Sequence, residues 1–377
     1  MKIIVAPNSF KGCLTSIEVT EIIEKEIKKI LPSSEIIKFP LADGGDGTLE
    51  VLKSLIGGKY IEIEATDPLR RKIKTKYIKK NNVAYIEMAK ISGLALLKEN
   101  EKNPLKTTTF GLGEIIIDAI DKGCKKIYIG VGGSATNDGG TGALTAIGFR
   151  FINKNGKIIY PGKGEDLLGI NKIEYPENYE KLKKIEFTIL SDVKNPLYGK
   201  NGAAYVYAFQ KGANESMVEI LDNGLRNYAK VIKKYTGIEI NKVEGSGAAG
   251  GIVAGFVSFL KSKVISGIEF ILKIGNFEEK IKKADIIITG EGKIDTQSFF
   301  GKAVGVILKY SEKYKITVIV LAGIVDEKIY RFLKSPYISI FSIVPGPVPL
   351  KDSIENSKKY LEIRTREILK LLKINLS

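Results

Sequence analysis

Carboxylates, lysines and glycines crowd into five short segments of this chain. Ala6-Pro-Asn-Ser-Phe-Lys-Gly12 offers Lys11 to a carboxylate or phosphate. The same stretch also reads as a turn with Thr15 or Ser16 capping a helix. Ala42-Asp-Gly-Gly-Asp-Gly-Thr48 sets two acids among three glycines, which lets carboxylates approach a ligand or a metal ion. It lacks the oxygen spacing and the terminal Glu of an EF-hand loop, and a tight turn before a helix is the alternative. Gly130-Val-Gly-Gly-Ser-Ala-Thr-Asn-Asp-Gly-Gly-Thr-Gly142 has the densest glycine of the chain. Its backbone N–H groups can reach an anion without Cβ interference, and a following helix would add its N-terminal dipole, so a phosphate cradle is expected. Ser191-Asp-Val-Lys-Asn-Pro-Leu197 presents Asp192 as a metal ligand or base, or else as part of a polar turn closed by Pro196. Thr289-Gly-Glu-Gly-Lys-Ile-Asp-Thr-Gln297 places Glu291, Lys293 and Asp295 close together. Charges of both signs suit a metal–phosphate site, and a solvated loop with weak local ion pairs is the bland reading.

What is missing narrows the chemistry further. The chain has no histidine. That removes His-based triads, His zinc sites and the commonest general base, leaving Asp, Glu, Lys or water to move protons. No G-x-x-x-x-G-K-[ST] occurs, and the protein-kinase signature set is absent. Gly130, Gly132 and Ala135 fit G-x-G-x-x-A, but no acid ends a strand some 20 residues later as a dinucleotide site requires. A NAD(P)-dependent oxidoreductase of a small hydroxy acid is the alternative enzyme class. A non-catalytic anion-binding protein is a third.

Elements must hold these segments in place. Short aliphatic runs at Lys2–Ala6, Glu35–Phe39, Ile127–Val131, Glu186–Leu190, Asp285–Thr289, Ile316–Leu321 and Ile338–Val344 read as strands buried on both faces. Helical stretches such as Ser16–Leu31 and Gly111–Lys122 alternate with them, which is the α/β pattern. The five segments then lie at carboxyl ends of strands, where open α/β sheets bind ligands. Residues 61–87 alternate like antiparallel strands, and 152–185 read as loops or an excursion. Gly247-Ala-Ala-Gly-Gly251, Gly301-Lys302 and Ala322-Gly323 add small-residue turns.

With 377 residues the chain is long for one core, so two domains are expected. The expected division is a parallel-sheet α/β domain from residues 1–60 and 280–377, built from both chain ends, with an α/β domain of residues 61–279 inserted. The formal net charge is +16. The lysine pairs are strewn from Lys28-Lys29 to Lys358-Lys359, so the charge reads as a solvated surface attractive to anions rather than a nucleic-acid patch. No apolar run reaches membrane-spanning length. The first residues read as a strand rather than a signal peptide, so a cytoplasmic protein is expected. Cys13 and Cys124 form no disulfide framework or metal motif.

Seven motifs together carry a resemblance. Asn8-Ser-Phe-Lys-Gly12, Ala42-Asp-Gly-Gly-Asp-Gly-Thr48, Gly132-Gly-Ser-Ala-Thr-Asn-Asp-Gly-Gly140, Asp192-Val-Lys-Asn-Pro-Leu197, Gln210-Lys-Gly-Ala213, Gly247-Ala-Ala-Gly-Gly251 and Thr289-Gly-Glu-Gly-Lys-Ile-Asp295 occur in the order of type I glycerate kinases. The chain resembles that family from residue 2 to about residue 370. The resemblance implies transfer of the ATP γ-phosphoryl group to D-glycerate with Mg²⁺, giving 2-phosphoglycerate. It also implies two α/β domains, one Rossmann-like, with the active site in a cleft between them. Glycerate and ATP are the expected partners, with neither nucleic acid nor membrane.

On this basis Gly132, Gly133, Ser134, Ala135, Thr136, Asn137, Asp138 and Gly139 are assigned to the triphosphate. Ser9, Lys11 and Lys293 are assigned to substrate. Asp192, Asp295 and Glu291 are the expected Mg²⁺ ligands. Asp43 is the first choice to accept the hydroxyl proton and Asp192 the second, with Lys11 the third catalytic group. The chain departs from the family's usual residues at Asn8 (commonly Asp), Asp46 (often Glu), Lys293 (often Arg) and Phe209 (often Pro). Asn8 is the reason for not placing the base at position 8.

Overall fold

The structure is a computed structural model that describes residues 1–296, 298, 303–331 and 333–374. Gln297, Gly301 and Lys302, singled out in the sequence, lie outside the described residues. In chain order the strands begin with β1 (Lys2–Val5) and β2 (Glu35–Lys38). Then come β3 (Lys59–Thr66), β4 (Lys72–Lys80), β5 (Val83–Glu87), β6 (Lys126–Gly130), β7 (Arg150–Asn153), β8 (Ile158–Ile159), β9 (Ile170–Glu174), β10 (Glu186–Leu190) and β11 (Lys263–Ile265). Last are β12 (Ile286–Ile294), β13 (Thr317–Val325) and β14 (Ile338–Ser342). The chain divides into two compact units. One comprises Met1–Asp43, Glu50–Ile56 and the chain from Ile268 onward, and the other Gly44–Leu49 and Gly57–Gly267.

The first unit is a parallel sheet in the order β14-β13-β12-β1-β2. Its aliphatic strands are covered by helices, as parallel sheets require. Helix Ser16–Ile30 starts at a capping box. Thr15 Oγ1 accepts the Glu18 N–H at 3.2 Å while Glu18 accepts the Thr15 N–H at 2.8 Å. This helix and the C-terminal helix Ser357–Ile374 share one core, with Ile23, Ile27, Leu361 and Leu369 packed over Ile3, Val5 and Ile288. Glu26 is buried between them and accepts from Arg366 Nε at 2.8 Å and Lys29 Nζ at 2.5 Å. From β1 the chain moves outward to β2, and from β12 outward the other way to β13 and β14. The boundary between β1 and β12 is therefore a topological switch point.

One strand is longer than the sequence reading allows. The run expected to end at Thr289 continues to Ile294, because β13 pairs Glu291 with Ala322 and Lys293 with Ile324. Glu291 and Lys293 are thus strand residues on one face, not loop residues.

The second unit holds a six-stranded sheet, β11-β10-β6-β5-β4-β3. β11, β10, β6 and β5 run parallel, while β5-β4-β3 are antiparallel. The antiparallel expectation for 61–87 holds for β3 and β4, but β5 also enters the parallel ladder beside β6. The excursion at 152–185 is a small antiparallel sheet, β8-β7-β9, with short helical turns. Helix Glu215–Thr236 is capped by Asn214, which accepts the Met217 N–H at 2.9 Å, and stops at Gly237 with φ 74°. Its Leu221, Leu225 and Ile232 join Ile127, Ile129 and Ile189 of the sheet in one core. Among the described residues no helix is long and apolar enough to cross a membrane.

Candidate active site

In the second unit, glycine-rich loops collect at the carboxyl ends of β6 and β10. The loop after β6 packs on the turn Gly44–Thr48. Gly132 N–H donates to the Gly44 carbonyl at 3.0 Å, and a Cβ on Gly132 would lie 2.4 Å from Gly45 Cα. A Cβ on Gly130 would lie 2.7 Å from the Gly44 carbonyl oxygen. Both glycines are there because another backbone backs onto them. That accounts for the G-x-G-x-x-A pattern without a dinucleotide. The turn is held in place by buried Glu87, which accepts the Leu49 N–H at 2.8 Å and the Gly47 N–H at 3.2 Å. Asp46 is exposed, and its carboxylate oxygens lie 2.8 and 3.0 Å from where a Cβ on Gly133 would be.

The loop itself is braced from below. Thr107 Oγ1 donates to the Ala135 carbonyl at 2.9 Å, Ala135 N–H to the Ser92 carbonyl at 2.9 Å, and Gly139 N–H to the Gly250 carbonyl at 3.0 Å. Lys211 Nζ donates to Ser134 Oγ at 2.9 Å and to the Thr136 carbonyl at 2.7 Å. Among the described residues, the N–H groups of Gly133, Ser134, Thr136 and Asn137 have no protein acceptor. Both amide atoms of the Asn137 side chain, fully buried, are also without a partner. Polar backbone in such numbers is costly to leave unpaired, and an anion satisfies it.

Asp138 does something else. It is fully buried, and its carboxylate accepts from Thr109 N–H and Oγ1 at 2.8 and 2.7 Å, Gly140 N–H at 3.1 Å and Gly142 N–H at 3.3 Å. Burial pushes its carboxyl above the ordinary range, against the pull of these donors. Its oxygens hold the fold together, so the assignment of Asp138 to the triphosphate is corrected to a structural one. The expected helix dipole is corrected too. Helix Thr141–Ile147 has only seven residues, and Asp138 and Thr109 already take the N–H groups of its first turn.

Asp192 follows β10 and is half-buried. Its loop is zipped to a second glycine segment, with Gly245 N–H on the Lys194 carbonyl at 3.3 Å and Gly247 N–H on that of Asn195 at 3.0 Å. Ala249, Gly250 and Gly251 all have left-handed φ, at 50°, 70° and 90°. There Gly250 is unavoidable, since a Cβ would lie 2.1 Å from the Thr136 carbonyl oxygen.

In the first unit the switch point gathers its own set. Asn8 N–H donates to the Gly290 carbonyl and Leu41 N–H to that of Pro7, at 2.8 and 2.9 Å. The ends of β1, β2 and β12 thereby carry Ser9, Lys11, Asp43, Glu291, Lys293 and Asp295. Lys11 is exposed and has no acidic partner among the described residues. Asn8 is buried and its Oδ1 accepts the Ser9 N–H at 2.9 Å, so it shapes the turn. Glu291 is buried, Lys293 Nζ lies 3.6 Å from Asp295 Oδ2, and Asp295 Oδ1 accepts the Ser298 N–H at 3.0 Å.

Residues 3–373 match the glycerate kinase family. The chain belongs to that family. It is 39% identical over 376 residues to the glycerate kinase of Bacillus cereus (strain ATCC 10987 / NRS 248), covering 99% of this chain and 98% of that one. It is 37% identical over 378 residues to the glycerate 2-kinase of Escherichia coli (strain K12), covering 100% and 99%. A crystal structure of a protein assigned as glycerate kinase 2 from Salmonella typhimurium LT2 superposes with a TM-score of 0.83 at 35% identity, covering 100% and 99% of the two chains. This glycerate kinase is a phosphotransferase with an alcohol group as acceptor. Two residues that lie against the loop after β6 had no role in the sequence reading. Lys211 stands in the Gln-Lys-Gly-Ala motif, which signalled family but no role. Asp46 was read as one of two acids able to approach a ligand or a metal ion and as a departure from the family's usual Glu, without a role of its own.

Proposed function

We propose that this glycerate kinase transfers the γ-phosphoryl group of ATP to D-glycerate and forms 2-phosphoglycerate. The observation that carries the reading is the loop Gly133–Asn137, where the N–H groups of Gly133, Ser134, Thr136 and Asn137 are held open by bonds made elsewhere in the loop. Such a loop receives phosphate oxygens. Similarity to the glycerate 2-kinase of Escherichia coli supports the 2-position.

Lys11 and Ser9 bind the glycerate carboxylate, and Lys293 neutralises carboxylate or phosphate charge. Asp43 accepts the proton of the attacking hydroxyl, and Asp192 is the second choice for that task. With a loose transition state the base need not be strong, and positioning supplies most of the rate.

Mg²⁺ accompanies the nucleotide in this reading, where it supplies charge neutralisation at the phosphate oxygens. Among the described residues no three acids or cysteines converge on one point. Mg²⁺ keeps several waters and is commonly bound through one or two carboxylates plus substrate phosphates, so the acids named next are alternatives rather than one joint set. Asp46 suits the ion best, since a carboxylate beside a phosphate cradle repels its anion unless a cation lies between them. Asp192, Asp295 and Glu291 remain the further proposed ligands.

The test is ADP release with ATP and Mg²⁺, with and without D-glycerate, followed by identification of the product. Glycerate-dependent ADP release with 2-phosphoglycerate as product is expected. Release that ignores glycerate, or 3-phosphoglycerate as product, rejects the respective part.

A further inference from the structure

Lys211 has no part in the chemistry above, yet it is among the least exposed charged residues in the protein, at 2%. It ends the turn Phe209–Lys211 and is followed by Gly212 with φ 92°, where a Cβ would lie 2.3 Å from the Lys102 carbonyl oxygen. This close packing drives the side chain inward beneath residues 134–136. An ammonium so buried is costly unless charge answers it. Among the described residues no carboxylate lies within ion-pair distance of it, and its hydrogen bonds go to a hydroxyl and a carbonyl. Asp138 is the one charged group that acts on it appreciably, and four donors already hold that carboxylate.

Among the described residues the charged groups of neighbouring elements have partners of their own. Glu87 has Lys90 at 3.8 Å, Lys102 pairs with Glu99, Lys106 with Glu165, and Asp222 with Arg226. The Asp166 carboxylate accepts the Lys163 N–H, and the Tyr228 hydroxyl is buried.

We propose that Lys211 is a positioning residue for the nucleotide phosphates, fixing the open N–H groups of residues 133–137 and placing a positive charge behind the anion they receive. This rests on the reading of that loop as the phosphate site. The Ser134 Oγ and Thr136 carbonyl bonds straddle Ala135, so one ammonium sets the course of the loop on both sides. Burial pushes Lys211 down to about 7, so its charge is only partly present at neutral pH. A bound phosphate favours the ammonium form. Nucleotide binding therefore takes up protons, and affinity falls as pH rises past 7.

The experiment is calorimetric titration of the full-length protein with ATP between pH 7.5 and 9, in buffers of different ionisation enthalpy. Wild type should take up protons on binding and lose affinity with pH, by up to about tenfold per unit. Lys211→Met should bind at least roughly tenfold more weakly, without proton uptake. Ser134→Ala removes one of the two bonds and should weaken binding less while keeping the uptake. Wild-type affinity in a folded Lys211→Met overturns the proposal, and so does wild-type affinity in Ser134→Ala should Lys211→Met not fold. Absence of proton uptake in wild type overturns the pH dependence alone. Gly133→Val separates the two readings. Should it bind ATP normally, the loop is not the phosphate site. Should it fail while Lys211→Met binds normally, only the role of Lys211 falls.

Discussion

Asp138 and Thr109 hold each other through two bonds, with both the N–H and the hydroxyl of Thr109 on Asp138 Oδ2. The start of helix Phe110–Asp121 is thereby fixed to the glycine loop. Asp138→Ala leaves these donors and the Gly140 and Gly142 N–H groups unpaired in the interior. A loss of about 3–5 kcal/mol is expected, read by denaturant unfolding. Thr109→Val, which removes only the hydroxyl, should cost about 1–3 kcal/mol. Unaltered stability in Asp138→Ala would return that carboxylate to the ligand.

Glu26 and Arg366 tie the first helix to the last. The Arg366 guanidinium holds the Glu26 carboxyl below its ordinary range, with Lys29 adding to the effect and burial opposing it. A lowered carboxyl stabilises the fold above the unfolded pKa and ceases to do so as pH falls through the folded one. Glu26→Gln should lower Tm by roughly 2–4 °C at pH 7, and the gap to wild type should close below about pH 4. A gap independent of pH would mean that packing, not charge, is what the variant disturbs.

Removing the proposed base is the sharpest kinetic test. Asp43→Asn should lower kcat on the order of a hundredfold or more, measured as glycerate-dependent ADP release. Near-normal turnover shifts the role to Asp192.

Lys11 separates binding from chemistry. Lys11→Ala should raise KM for glycerate about tenfold while changing kcat less. An unchanged KM would take the carboxylate clamp away from this residue.

Asp46 reports on the metal. In Asp46→Asn the Mg²⁺ concentration needed for half-maximal rate should rise, and Mg²⁺-dependent tightening of ATP binding should shrink. Identical Mg²⁺ dependence would exclude Asp46 as a ligand.

The parallel strands were readable where burial on both faces favours aliphatic runs, as at Ile3–Val5 of β1, all three fully buried. Gly290–Ile294 was not readable. Glycine, glutamate and lysine in succession look like a loop, and only the ladder with β13 makes them a strand. The small sheet of β7, β8 and β9 hid among lysines and asparagines for the same reason. At the site, glycine density marked the loop after β6 as a place of close backbone approach, and part of that approach is to the turn Gly44–Thr48. Asp138 and Lys211 show the limit. Their types suggest surface chemistry, and their burial follows from loops distant in sequence.

The pairing of β1 with β12 has a consequence for biosynthesis. Ile3 must wait for Ile286. While the ribosome makes the intervening chain, the aliphatic strand Lys2–Val5 has emerged but lacks its neighbour on that side. The continuous stretch Gly57–Gly267 holds most of its own core and can form meanwhile. The nascent chain thus carries an apolar, half-paired N-terminal segment for most of its synthesis, which is a natural substrate for a holding chaperone and a point where premature termination yields an aggregating product.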